Sequence, residues 1–219
     1  MAHHDSHGLA HHALSSTSAG VLGLLSVRAW SAYELAKQSR RSLWFAMPRA
    51  ESVIYAEPKR LVQAGLATVT RERVGRRTRQ VYEITPAGRA ALADWLTTAP
   101  SEPALDIEPL MRVLFADAGT TADLRAALEY LDRWAAERHE AGVAICRDYL
   151  DGEAPFPERL HLSALFAGFY ARLYDSTRAW VSEATAEVDT WESTNRVGLT
   201  PGTRIMLERI VKPASVDGP

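Results

Sequence analysis

The stretch that decides the fold is "LATVTRERVGRRTRQVYEITPAG", residues 66–88. Two runs within it alternate: Leu66, Thr68 and Thr70 against Ala67, Val69 and Arg71, then Val81 and Glu83 against Tyr82 and Ile84. Side chains of a strand point to opposite faces with a period of two, so the runs read as two paired strands. Gly75 stands in their connection, with arginines on both sides. Thr85 then caps a helix, and Pro86 takes its first position, where a missing N–H costs nothing. Arg71, Arg73, Arg76, Arg77 and Arg79 fall within nine positions of this hairpin. Cations packed so closely repel one another unless something negative accepts them.

Working upstream, the period becomes helical. "SAYE", residues 31–34, is Ser-x-x-Glu before an amphipathic segment, so Ser31 and Glu34 can satisfy each other's backbone N–H groups as a capping box. That helix is expected to run to about Arg40 and to bury Leu35 and Ala36, after an earlier helix around 19–26 that carries Val21, Leu22, Leu24 and Leu25. A further helix, from about Arg49 to Gln63, places Ile54, Leu61 and Val62 toward the core, with Gly65 as its stop. Pro58 lacks the donor for the carbonyl four residues back, which predicts a later start or a bend. Three short helices, a two-stranded hairpin with an arginine-loaded tip and a closing helix describe a winged helix-turn-helix.

Charge agrees with that architecture. From Arg28 to Leu96 there are thirteen Lys and Arg against six Asp and Glu, a balance of +7 inside a chain of net −2, which leaves −9 for the rest. A basic block beside an acidic one marks a nucleic-acid-binding segment joined to one with another task. Guanidinium groups at a hairpin tip can meet phosphates or the minor groove, and the released counterions supply affinity. The helix of Arg49, Ser52 and Tyr55 is expected in the major groove. Lys59 and Arg60 can reach backbone phosphates, Arg73 is counted with the DNA-binding residues, and Arg76, Arg77 and Arg79 are expected to act as positioners, with sequence choice resting mainly on the helix.

Past Leu96 the pattern changes. "TTAPSEPAL", residues 97–105, is a proline-containing polar connector. Leu110, Val113 and Leu114 then fit a short helix. Two long helical stripes follow, one through Leu124, Leu128, Leu131, Trp134, Ile145 and Tyr149 after a threonine cap, the other through Leu162, Leu165, Phe166, Phe169, Leu173, Trp180, Ala184 and Val188. Long apolar stripes in a chain this small need something to pack against, and a second copy of the same pair is the simplest partner. Trp134, Phe166, Phe169, Tyr170 and Tyr174 can line an apolar effector pocket between these helices, although core packing accounts for the same residues without a ligand.

Three stretches carry a family resemblance. "YEL" at 33–35, "SVIYAEPKRLVQAGL" at 52–66 and "GRRTRQVYEITPAGRAALADWL" at 75–96 occur in the order and at the separations of PadR-type transcriptional regulators. The resemblance covers about residues 18–98. Familiar members have proline directly after the tyrosine, where this chain has Ala56, with the proline two places further on at Pro58. The resemblance implies a long-form member: a helical C-terminal region used for dimerisation, repression as the mode of control, and response to small aromatic or lipophilic compounds.

Other chemistry is sparse. Cys146 is the single cysteine, which excludes an internal disulfide, and no apolar run approaches the roughly 18–20 residues of a membrane span. His3, His4, His7, His11 and His12 crowd the N-terminus and read as a tail, since no carboxylate or thiolate cluster completes a metal site beside them. His139 and His161 stand alone on their helices. There is no Gly-rich phosphate loop, no Gly-x-Ser-x-Gly, no His-Glu-x-x-His and no Cys-x-x-Cys, so neither enzyme activity nor a cofactor is expected.

The expected protein is mainly α: a tail over 1–17, a winged helix-turn-helix over 18–98, a linker over 99–108, a helical dimerisation and effector domain over 109–194, and an extension over 195–219 with room for a short helix. Its expected function is that of a cytoplasmic, bacterial, homodimeric and ligand-responsive repressor on a palindromic operator. The alternative is a winged-helix module that binds an acidic protein partner without reading DNA sequence.

Overall fold

The computed structural model describes residues 14–46, 51–75 and 77–212, and of Glu51, Val74 and Arg77 the backbone alone. The five N-terminal histidines, Arg49 and Arg76 lie outside the described residues. The chain divides into two compact units, with the boundary between Glu102 and Pro103.

In the first unit, α1 spans Ser16–Val27 and starts on Ser15, whose side chain accepts from the Ser18 N–H. Ala19, Val21, Leu22, Leu24 and Leu25 of α1 are buried, and with Leu35, Leu61 and Tyr82 they form the centre of the unit. Trp30 is buried beside them, its indole N–H donating to the Leu24 carbonyl at 2.7 Å, so burial leaves no donor unpaired. Helix α2, Ala32–Arg41, opens with the expected capping box: Ser31 Oγ accepts from the Glu34 N–H at 3.3 Å, and Glu34 Oε2 accepts from the Ser31 N–H at 2.9 Å. A single turn, α3 (Leu43–Ala46), precedes α4, Glu51–Gln63.

Helix α4 runs through Pro58. Proline in a helix interior costs ~3 kcal/mol. Here the ring is fully buried, so the position is apolar core and its contacts offset part of that cost. The stop is a Schellman motif: Gly65, at φ +72°, donates to the Val62 carbonyl at 3.0 Å, and the Leu66 N–H reaches the Leu61 carbonyl at 2.9 Å.

Strands β2 (Ala67–Val74) and β3 (Arg77–Ile84) pair antiparallel from Ala67↔Ile84 to Val74↔Arg77. Gly75 and Arg76 are thus the whole connection. Gly75 has φ +62°, which two-residue hairpin turns demand of their first central residue. A two-residue strand that alternation does not reveal, β1 (Trp30–Ser31), pairs with β3 through Trp30↔Tyr82 and Ser31↔Val81. The sheet order is β1-β3-β2, so β3 is central, and its Val81 and Tyr82 are both buried although they face opposite ways.

Helix α5, Pro86–Thr97, is locked to the strand before it. Thr85 Oγ1 accepts from the Gly88 N–H at 3.0 Å and donates to the Gly65 carbonyl at 2.8 Å. Gly88 is sterically required, because a Cβ there would lie 2.1 Å from the Leu66 carbonyl oxygen.

The second unit is helical: α6 (Glu108–Leu114), α7 (Thr121–Leu150), α8 (Leu160–Val188) and α9 (Pro201–Val211). Thr120 and Asp123 form a capping box that starts α7. Helices α7 and α8 run antiparallel, as the ion pairs Arg125–Asp189 and Asp132–Arg178 and the approach of His139 to Asp175 require, since residue numbers rise on one helix while they fall on the other. Between them Leu124, Leu128 and Leu131 meet Val181 and Val188, with Trp134, Trp180 and Trp191 packed alongside. Helix α9 is tied back by Arg209 to Glu183 at 2.9 Å and by Thr200 to Glu187.

Candidate nucleic-acid interface

The two faces of α4 are cleanly divided. Ile54, Glu57, Pro58 and Leu61 are buried, at the spacing of one helical stripe. Ser52, Tyr55 and Lys59 lie exposed on the other side, and Arg60 follows them with its side chain 72% exposed. The helix therefore offers a hydroxyl, a phenol and an ammonium in a row, held by a face that cannot rotate without emptying the core.

Glu57 is a support of α4 that no sequence pattern marks. Its carboxylate is buried, accepts from Ser18 Oγ at 2.6 Å and lies 3.7 Å from Arg60. A carboxylate out of water needs such partners. The bond fixes the middle of α4 to the start of α1, and the ion pair gives Arg60 a direction.

The wing's arginines are not equivalent. Residues directly opposite in an antiparallel pair share a face, so the register divides the hairpin into two surfaces. One holds Arg71 and Arg73 opposite Gln80 and Thr78; the other holds Glu72 opposite Arg79. Arg79 Nη2 and Nε donate to Glu72 Oε2 at 3.0 and 3.2 Å, and its Nη1 lies 3.6 Å from Glu34 Oε1. The Glu34 carboxyl is held below its ordinary range chiefly by the two hydrogen bonds from Ser31, then by the charges of Arg79 and Arg28. Among the described residues Arg71 and Arg73 make no ion pair, and both are exposed. The sequence motif counts five similar cations; the structure neutralises Arg79 and leaves Arg71, which was not among the expected DNA-binding residues, as bare as Arg73. The Arg77 side chain and the whole of Arg49 and Arg76 fall outside what the structure describes.

Inside the second unit, the expected effector residues are brought together as a seam of rings. Trp134 meets Tyr174 edge-on at 5.5 Å between centroids, Tyr174 lies 6.1 Å from Tyr170, and Tyr170 contacts Phe166 at 4.9 Å and Phe169 at 5.1 Å. Tyr174 is buried, whereas Phe166 and Phe169 are exposed. Burial raises the pKa of both tyrosines and lowers that of Arg138, whose guanidinium lies 6.0 Å from the Trp134 ring. A cavity of about 400 Å³ lies elsewhere in the unit, lined by Met111, Phe115, Ala116 and Leu124 with Arg112 and Asp123 at its polar edge. Among the described residues no group of His, Cys, Asp and Glu has the makings of a metal site, and no helix is long and apolar enough to cross a membrane.

Comparison with known proteins agrees with this geometry. Residues 21–94 match the model of the transcriptional regulator PadR-like family. Smu.1604c from Streptococcus mutans is similar in structure at a TM-score of 0.67 and 20% identity, over 79% of this chain and 99% of its own. Bacillus subtilis PadR in complex with operator DNA is similar at 0.67 and 17%, over 78% and 98%. The same regulator in complex with p-coumaric acid is similar at 0.60 and 19%, over 78% and 98%. No curated protein matches the chain.

Proposed function

From residues 21–94, which belong to the PadR-like family of transcriptional regulators, we propose a sequence-specific DNA-binding regulator that works as a homodimeric repressor. The single observation that carries this reading is the division of α4: a buried stripe through Ile54 and Leu61 holds Ser52, Tyr55 and Lys59 outward, and the same unit carries the exposed cations Arg71 and Arg73, without ion pairs among the described residues, on one face of its wing. A helix with its polar edge presented suits the major groove, and bare guanidinium groups on a wing suit phosphate. Arg49, Arg60, Arg76 and Arg77 belong to the same proposed footprint.

Dimerisation through the second unit is supported by Leu162, Leu165, Phe166 and Phe169, which form one exposed apolar stripe on α8. A twofold dimer would present two α4 helices to a palindromic operator. Control by a small aromatic or lipophilic effector is supported by the ring seam from Trp134 to Phe169, and the similar Bacillus subtilis PadR has been solved with p-coumaric acid. The effector then acts if its affinity differs between two dimer geometries, one in register with the operator and one out of it.

The test is binding of the purified full chain to duplex DNA from upstream of its own coding sequence. A selective regulator prefers that duplex over random sequence by roughly 1000-fold or more and loses affinity steeply as salt rises. Equal, weak binding to both duplexes fits instead a module that docks an acidic protein. Titration of p-coumaric acid into the DNA complex checks the effector, with release of DNA as the expected result.

A further inference from the structure

We propose that Arg79 is a positioning residue that sets the wing against the helix-turn-helix, while, among the wing arginines whose side chains the structure describes, contact with the nucleic acid falls to Arg71 and Arg73 on the opposite surface of the hairpin. The inference rests on the DNA-binding reading above and assigns different tasks to arginines that the sequence presents as one cluster.

Three observations carry it. Arg79 is committed on two sides, with Nη2 and Nε on Glu72 at 3.0 and 3.2 Å and Nη1 facing Glu34 at 3.6 Å. Glu34 is itself immobilised: its Oε2 takes the Ser31 N–H at 2.9 Å and the Ser31 hydroxyl at 2.6 Å, which leaves Oε1 for Arg79. One carboxylate thus serves the start of α2 with one oxygen and the wing with the other. Finally, Ser31 pairs with Val81, two residues along β3 from Arg79, so the side-chain bridge extends a backbone connection already made at the root of the wing.

Electrostatics favours this division. A phosphate approaching Arg79 meets a cation already neutralised by two carboxylates and is repelled by both. The same phosphate approaching Arg71 or Arg73 meets two cations opposite Gln80 and Thr78. Freeing Arg79 for DNA would also leave Glu72 facing the duplex unpaired.

The bridge is solvent-exposed, so its contribution is small and the expected effects are correspondingly modest. The full chain is titrated with the duplex from upstream of its own coding sequence and with a random duplex of equal length, across a range of salt. Arg79→Ala is expected to lower the ratio of the two affinities about threefold with the salt slope unchanged. Glu72→Gln is expected to lower the ratio equally, and the double variant no further, because both break one bridge. Glu34→Gln, which keeps an acceptor for the capping box, is expected to behave as they do. Arg71→Ala with Arg73→Ala weakens both duplexes alike, leaves the ratio in place and flattens the slope by about 0.9 for each phosphate that is no longer neutralised.

The proposal is overturned if Arg79→Ala flattens the slope and weakens both duplexes equally, or if Glu72→Gln leaves the ratio unchanged. A wild-type chain with neither preference nor salt dependence overturns the DNA-binding reading itself, a failure visible before any substitution is made.

Discussion

Among the described residues, the first unit leaves five large apolar side chains exposed, Tyr33, Tyr55, Val69, Trp95 and Leu96, while the second leaves sixteen, from Leu105 to Val211. The first unit therefore closes its core with its own elements, and the second does not. In the first, buried side chains come from α1, α2, α4 and β3 alike, as Leu22, Leu35, Leu61 and Tyr82 show. In the second, α7 and α8 bury Leu124, Leu128, Leu131, Val181 and Val188 near one end, whereas the first half of α8 carries Leu162, Leu165 and Phe169 into solvent. Contiguous apolar surface of that kind marks an interaction site. The difference teaches that one half of the chain is specified by its own packing and the other by whatever covers it, a second copy in the function proposed above.

The strongest way to break the comparison is to attack closure in the first unit. Gly88→Ala places a Cβ 2.1 Å from backbone at Leu66, which has no flexible side chain to move aside. We expect a loss of about 3 kcal/mol in urea unfolding followed by the ellipticity of the whole chain. A loss near zero means that the junction of α5 with β2 is looser than its geometry.

Next in size is the open stripe of the second unit. Phe169→Asp leaves the unit's own core intact, so the helical signal is expected to persist. Sedimentation equilibrium is expected to give a dimer dissociation constant raised at least ~30-fold, the effect of losing a hot spot of about 2 kcal/mol. An unchanged constant removes α8 from the interface.

Smaller again is the start of α7. Thr120 accepts from the Asp123 N–H at 3.2 Å, and Thr120→Ala is expected to cost about 1 kcal/mol, read as a lower midpoint for the second unit in thermal unfolding.

The smallest effect is common to both units. Glu34 and Asp123 are each held below their ordinary pKa first by side-chain hydrogen bonds from the capping Ser31 and Thr120. A carboxyl whose folded pKa is depressed contributes stability that is fully present above its unfolded value and is lost as pH falls through the folded one. Acid below about pH 4 is therefore expected to destabilise both units slightly, and Ser31→Ala is expected to shrink the acid dependence of the first alone. Identical pH profiles for wild type and Ser31→Ala contradict that assignment.

Local signals were legible without coordinates. The Ser31 and Thr85 caps, the Gly65 stop, the place of Gly75 in the turn and the two strands flanking it each depend on a few adjacent residues, and each appears in the structure. The passage of α4 through Pro58 was less legible, because burial of the proline ring supplies energy that helix propensity alone does not count. Strand β1 was invisible because two residues carry no period.

The sequence by itself determined where most helices and both long strands lie and which end of the chain is cationic, since neighbouring residues and their spacing govern caps, turns and charge. Only the tertiary structure decided which cations are paired and which are bare. Glu34 meets Arg79, and Ser18 meets Glu57, across distances along the chain that no local pattern spans. Whether a guanidinium faces a carboxylate or open water depends on how separate elements pack, and on that packing rests the difference between a strut and a binding group.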